Sequence, residues 1–152
     1  MSSATDPAIQ RRLIDGLYVE AMVLADEARS YFDQSGRNDR DMLDPFVRVT
    51  FSCESLKITT RLMHVIAWLL TQRAVDAGEL GPLDALDPSR RMGDSPATEN
   101  DVIAVLPLRA QALVTASMDL HRRVLRLDLV QAAPEPRNSP ARSMQLRLSS
   151  AF

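Results

Sequence analysis

The sequence predicts an all-α fold: an antiparallel three-helix bundle with a partly helical linker and a disordered C-terminal tail. Three observations carry this. Glycine is rare, with five residues, and aromatics make up 5%, which starves a β-sandwich or barrel of turns and strand formers. An Asp-Pro pair, the signature of a helix start, stands ahead of two long apolar-periodic segments, at Asp6-Pro7 and Asp44-Pro45. Apolar residues then recur three and four apart in three separate stretches. At 152 residues, 45% hydrophobic and 25% charged, the chain is long enough for one domain with a real core. The expected domain is residues 1–130, with helices at about 7–35, 45–77 and 107–130; residues 131–152 are expected to be a flexible tail.

The first helix carries two adjoining stripes. Leu13, Leu17, Leu24 and Tyr31 form one; Ile14, Tyr18, Ala21, Ala25, Ala28 and Phe32 form the other. Gly36 is a plausible stop. The second helix shows a stripe at Phe46, Val49, Cys53, Leu56, Thr60, Met63, Ala67, Leu70 and Ala74, expected to face the bundle, and Gly78 is its stop signal. At ~50 Å it is long for a globular helix, and the β-branched "VRVTF" leaves a break near residues 49–52 open. In the third helix Ala110, Leu113, Ser117, Leu120, Val124 and Leu127 repeat close to heptad spacing.

Residues 79–106 are too long for an ordinary helix–helix connection. Leu80, Leu83 and Leu86 and then "DVIAVL" suggest partial packing with a short helix or two, and "RRMGDSPATEN" is expected to be the loosest part. The tail, "QAAPEPRNSPARSMQLRLSSAF", has three prolines and a net charge of +2, leaving −4 on the rest, and no apolar period until "MQLRL".

The stretch "LMHVIAWLL", residues 62–70, has one polar side chain, His64. Leu62, Val65, Ile66 and Leu69 lie opposite Met63, Ala67 and Leu70, with Trp68 to the side, so this segment needs cover nearly all round. Two neighbouring helices leave a surplus face for the linker or a second copy of the chain. A homodimer through Leu62, Val65, Ile66, Trp68 and Leu69 is therefore expected.

Chemistry is sparse. His64 reads first as a hydrogen-bonded core or interface histidine. Cys53, the single cysteine, lies ~16 Å from it along a continuous helix, too far to share a metal or form a nucleophile pair. His121 contributes only if the fold brings it to His64. There is no glycine-rich phosphate loop and no nucleophile elbow, so neither catalytic nor metal residues nor a cofactor are expected. The net charge of −2 argues against nucleic acid. Arg outnumbers Lys seventeen to one, which reflects coding bias. Residues 1–16 lack the apolar core of a signal peptide, and the apolar run falls short of the ~20 residues that span a bilayer. A soluble, cytoplasmic protein without membrane partners is expected.

"LKITTRLMHVIAWLLTQRAVDAGEL" (56–80) and "LPLRAQALVTASMDLHRRVLRLD" (106–128) resemble the RcdA family, alphaproteobacterial regulators of CtrA degradation. The resemblance is best in the second and third helices, in Thr59-Thr60-Arg61, Trp68, Gln72-Arg73 and the "VLRLD" ending. It implies a dimeric three-helix bundle without catalysis. It further implies an adaptor that helps deliver cell-cycle regulators to the ClpXP protease, with a response-regulator-like adaptor and a cyclic-di-GMP effector as partners and a cell pole as a possible site of action. Such an adaptor needs binding surfaces only, because holding a client beside the protease raises its local concentration to the order of millimolar. Partner-binding candidates are Arg61 and Arg73, read as outward, and the cluster Arg122, Arg123 and Arg126, which equally suits a helix C-terminus. Trp68 and Arg61 are the two for which a structural role weighs more. The tail offers Leu148, Ala151 and Phe152 at a small-residue C-terminal end. The alternative reading is a small helical regulator that binds nucleic acid or a transcription factor; a helical metalloprotein is a third.

Overall fold

The structure, a computed structural model, describes residues 6–133 and 140–151, with side chains from 144 onward in the second range. Three long helices make the bundle: α1 (Pro7–Ser30), α3 (Pro45–Asp76) and α5 (Leu108–Ala132). Short helices α2 (Arg37–Asp41) and α4 (Asn100–Ala104) lie between them, and α6 (Pro140–Ala151) follows. No strand occurs among the described residues.

Local chemistry explains the starts and stops. Asp6 Oδ1 accepts from the Ala8 amide at 3.1 Å, and Pro7 loses nothing at a position whose N–H has no helical acceptor. α1 runs on through a widened π-type turn, Tyr31–Ser35. There Tyr31 is buried and its hydroxyl donates to Asp39 at 2.7 Å; burial, then that hydrogen bond, pushes the phenol far above its ordinary pKa. α3 is unbroken over 32 residues, which settles the open question at 49–52. Its Thr50 and Ser52 hydroxyls donate back to the carbonyls of Phe46 and Arg48, so these polar side chains are satisfied within the helix. The helix stops where Gly78 takes φ +75°, a conformation that strains any residue with a Cβ.

Contacts fix the directions. Asp15 meets Arg73 and Tyr31 meets Phe51, so α1 and α3 are antiparallel. Ser35 meets Arg109 and Glu20 meets Arg123, so α1 and α5 are antiparallel as well. Arg61 meets Ser117, His64 meets His121 and Trp68 meets Asp128, so α3 and α5 run parallel. The expected antiparallel packing therefore holds for α1 against each partner. The parallel pair is why residues 77–107 are so long: they climb the bundle back to its starting end. Two 3₁₀ turns (Asp84–Leu86, Pro88–Arg90), an extended stretch and α4 make that climb.

The core is apolar and contiguous. α1 contributes Ile14, Leu17, Ala21, Leu24, Ala28 and Tyr31; α5 contributes Ala110, Leu113, Val114, Leu120 and Val124. Both match the expected stripes, except that Leu13 is exposed and Tyr18, Ala25, Phe32 and Leu127 are only half-buried. α3 does not match. Its buried side is Phe51, Ile58, Leu62, Val65, Trp68 and Leu69, together with Glu54, Arg61 and Gln72. The stripe expected to face the bundle faces away.

The tail departs from expectation in one respect: residues 140–151 form a helix. All three prolines of the tail lie at or before its first position, and the residues after Pro140 are mostly good helix formers. All its described side chains, 144–151, are exposed, so α6 adds nothing to the core.

Candidate interaction surfaces

The inner side of α3 is a chain of polar groups sealed against the returning crossover. The Arg61 side chain, 1% exposed, spends its whole guanidinium inside the chain. Nε donates to the Pro96 carbonyl at 3.0 Å, Nη1 to Ser117 Oγ at 3.1 Å and Nη2 to Thr98 Oγ1 at 2.7 Å. Thr98 in turn donates to Glu54 Oε2 at 2.6 Å, and Lys57 Nζ lies 3.0 Å from Glu54 Oε1. Burial opposes the Arg61 charge and the nearby Glu54 carboxylate favours it. One turn beyond His64, Trp68 Nε1 donates to Asp128 Oδ1 at 2.9 Å. The same carboxylate accepts from Arg91 Nε at 2.8 Å and from the Met92 amide at 3.3 Å. Residues 91–98, expected to be the loosest, are thus the part of the crossover most heavily tied to the bundle.

Between these anchors lie both histidines. Their ring centroids are 6.4 Å apart; His121 Nε2 is 3.2 Å from the Gly93 carbonyl, while His64 Nδ1 is buried without a partner. The expected hydrogen-bonded His64 is corrected: its ring is packed, not bonded. Burial, chiefly, holds His121 below the ordinary imidazole pKa. No group of three or more His, Cys, Asp or Glu among the described residues is placed to hold a metal.

The dimer candidates move inside. Leu62, Val65, Trp68 and Leu69 are buried within a single chain, and Ile66 is half-buried, lining a groove of about 350 Å³ with Ala25, Ala28, Phe32, Ile58 and Met63. Arg61 likewise leaves the list of outward residues. The outward side of α3 is instead Phe46, Val49, Cys53, Leu56, Met63, Ala67 and Leu70, with Phe46 83%, Leu56 69% and Met63 63% exposed. With half-buried Thr60 and Ala74 they keep an unbroken three-four alternation, the a/d spacing of a coiled-coil seam. Sequence reasoning found both faces and exchanged them. The signal that separates them was present: Glu54, Arg61 and Gln72 share one stripe with Val65 and Trp68, and such long polar side chains are buried only where partners await them.

The remaining candidates are scattered. Arg73 is exposed, 3.6 Å from Asp15 and with its guanidinium 4.6 Å from the Tyr18 ring centroid. Arg122 pairs with Asp119, while half-buried Arg123 bridges Glu20 and Asp119, which raises its pKa further. Arg126 is exposed. The basic cluster is therefore largely neutralised by its own neighbours. Leu148 and Ala151 are exposed on α6; Phe152 lies outside the described residues.

Fold and surfaces together define the class: an all-α bundle that pairs its buried charged groups internally and, among the described residues, leaves one apolar helix face unpartnered. Residues 5–152 match the model of the family described as "Protein of unknown function (DUF1465)", and the chain belongs to that family. It is similar to the crystal structure of RcdA from Caulobacter crescentus CB15, with 35% sequence identity and a TM-score of 0.64, over 78% of this chain and 90% of that one. The resemblance to the RcdA family read from two helices is thereby borne out over the fold. No curated protein matches the chain. No helix among the described residues is long and apolar enough to cross a membrane.

Proposed function

We propose that this chain is a dimeric, non-enzymatic adaptor that helps deliver regulatory proteins to the ClpXP protease. The observation that carries the reading is the exposed seam of α3. A monomer has no use for seven exposed positions of a/d spacing, joined by half-buried Thr60 and Ala74, whereas a second copy does. The positions from 46 to 74 are symmetric about Thr60 to within one residue. An antiparallel pair of α3 helices with its two-fold axis at Thr60 sets Phe46 against Ala74 and Cys53 against Ala67, and brings Val49 and Leu70, and Leu56 and Met63, to within one residue of opposition. Large residues then meet smaller or flexible ones, which an in-register parallel pair does not achieve.

Similarity to RcdA supports the adaptor role, and an adaptor of this kind works by effective concentration rather than by chemistry. Arg73, Arg122, Arg123 and Arg126 are proposed as the charged partner surface, and α6 as a tethered contact. A response-regulator-like adaptor, a cyclic-di-GMP effector and the clients are the proposed partners, in the cytoplasm. The test is retention of the full-length chain on immobilised ClpX homologue in the presence of the partner adaptors, followed by client turnover on adding ClpP. Retention with faster turnover is expected; neither, with all partners present, sinks the reading.

A further inference from the structure

Residues 91–98 cross the cleft between the parallel helices α3 and α5 with no helical hydrogen bonds of their own beyond the turn at Arg91. Side chains of the bundle hold them: Asp128 at Arg91 and Met92, His121 at Gly93, Arg61 at Pro96 and Thr98, Glu54 at Thr98. Beneath the middle of this strap sit the two histidines. Gly93 rests on the His64 ring so closely that a Cβ there would lie 3.1–3.4 Å from three ring atoms.

We infer that residues 91–98 are a proton-gated strap: charging His121, which stands beside His64 beneath it, lifts this segment from the α3–α5 cleft while the bundle stays folded.

The charges around the pair make the case. On α3, Arg61 stands one turn from His64 and adds positive charge. Glu54, the negative group on that side, is already engaged by Lys57 and Thr98. On α5, Asp128 is engaged by Arg91, Trp68 and the Met92 amide. On the strap itself, Arg91 is positive, and Asp94, which favours charge on His121, is exposed to solvent. His64 Nδ1, buried without a hydrogen-bond partner, offers the neighbouring ring no compensation. A charged His121 ring, 6.4 Å from His64 and under the field of the Arg61 guanidinium, is unfavourable under cover, in a medium that screens poorly. Both helices are held by their own backbone bonds, so the strap yields first.

The sign follows from His121. With the strap closed its pKa is depressed, mainly by burial and then by His64 and Arg61 acting against the Gly93 hydrogen bond. With the strap open it returns toward the ordinary value of about 6.5. The closed state binds fewer protons, so closure is fully favoured above about pH 6.5 and weakens as pH falls below it. From pH 7.5 to 5.5 the opening constant therefore rises, by at most about tenfold for a single group that regains the ordinary value. Opening uncovers Arg61, Thr98 and Glu54, a charged surface otherwise sealed.

Hydrogen exchange of the Met92 amide, which Asp128 accepts, reads strap opening even when it is rare. It is to be followed by NMR on the full-length protein at pH 7.5 and 5.5, corrected for intrinsic exchange, beside the Leu69 amide as a core reference. The expected result is a drop in Met92 protection approaching tenfold, with Leu69 far better protected than Met92 at both pH values, and loss of the Met92 response in His64→Gln/His121→Gln. Equal Met92 protection at both pH values, a response that survives in the double variant, or Met92 protected as strongly as Leu69 at pH 5.5 overturns the proposal. Should the double variant not fold, His121→Gln alone serves: Met92 should then keep the same protection at pH 7.5 and 5.5. A pH response that survives in that variant also overturns it.

Discussion

The two sides of α3 invert the usual rule for a surface helix. The inward side buries Glu54, Arg61 and Gln72 among Phe51, Val65, Trp68 and Leu69; the outward side shows Phe46, Val49, Leu56, Met63 and Leu70 to solvent. The inward polar groups are all accounted for by named partners in the crossover and α5, apart from Gln72. The outward apolar groups have none. A buried arginine makes the fit of the crossover demanding, since a misplaced strap would leave a charge stranded. An exposed apolar seam makes no such demand on the monomer and only becomes useful when something packs on it. One face specifies the fold, the other is left for association.

The largest expected effect lies inside. Arg61→Ala strands the Thr98 and Ser117 hydroxyls and the Pro96 carbonyl and removes the positive charge facing Glu54. Unfolding in urea should show a loss of about 3 kcal/mol. A loss under ~1 kcal/mol would mean that this face is not the demanding one. Asp128→Asn keeps the shape but weakens the bonds to Arg91, Trp68 and Met92, for an expected loss of about 2 kcal/mol by the same assay. His121 sharpens the contrast through pH. Its folded pKa is depressed, so the folded state binds fewer protons, and stability should fall between pH 7.5 and 5.5 by on the order of 1 kcal/mol. His121→Gln should flatten that slope.

On the outer face the prediction reverses. Leu56→Glu with Met63→Glu should change monomer stability by no more than ~0.5 kcal/mol, yet abolish self-association in sedimentation velocity. The smallest effect belongs to Arg122→Glu, exposed and paired only with its helical neighbour Asp119. It should leave the urea midpoint within error and act, if anywhere, on partner retention.

Much of the fold was legible. The Asp-Pro pairs mark where α1 and α3 begin, Gly78 marks the stop, and the stripes of α1 and α5 are the buried ones because each has a single apolar face. α3 was not legible in the same way, because a helix that is apolar on both sides has two stripes of correct period, and period alone cannot say which is inside. Its polar residues decided the matter, and only through partners 35 to 60 positions away in the chain, such as Pro96 for Arg61 and Asp128 for Trp68. The crossover misled for a related reason. "RRMGDSPATEN" has the composition of a loose loop, yet its order comes from bundle side chains rather than from its own sequence. Of the candidate surfaces, the charged residues on α5 were readable as a cluster, but not their neutralisation by Glu20 on α1.

The claim that a second copy covers the outer seam of α3 meets its most direct test in disulfide trapping. Thr60→Cys, made in a Cys53→Ser background, should oxidise to a covalent dimer in mild oxidant, because the antiparallel register sets residue 60 against itself on the two-fold axis. Wild-type Cys53 should stay uncrosslinked, because it then faces Ala67. A Thr60→Cys protein that remains monomeric at micromolar concentration while Cys53 readily crosslinks would contradict the register, and a chain that neither crosslinks nor self-associates would contradict the account.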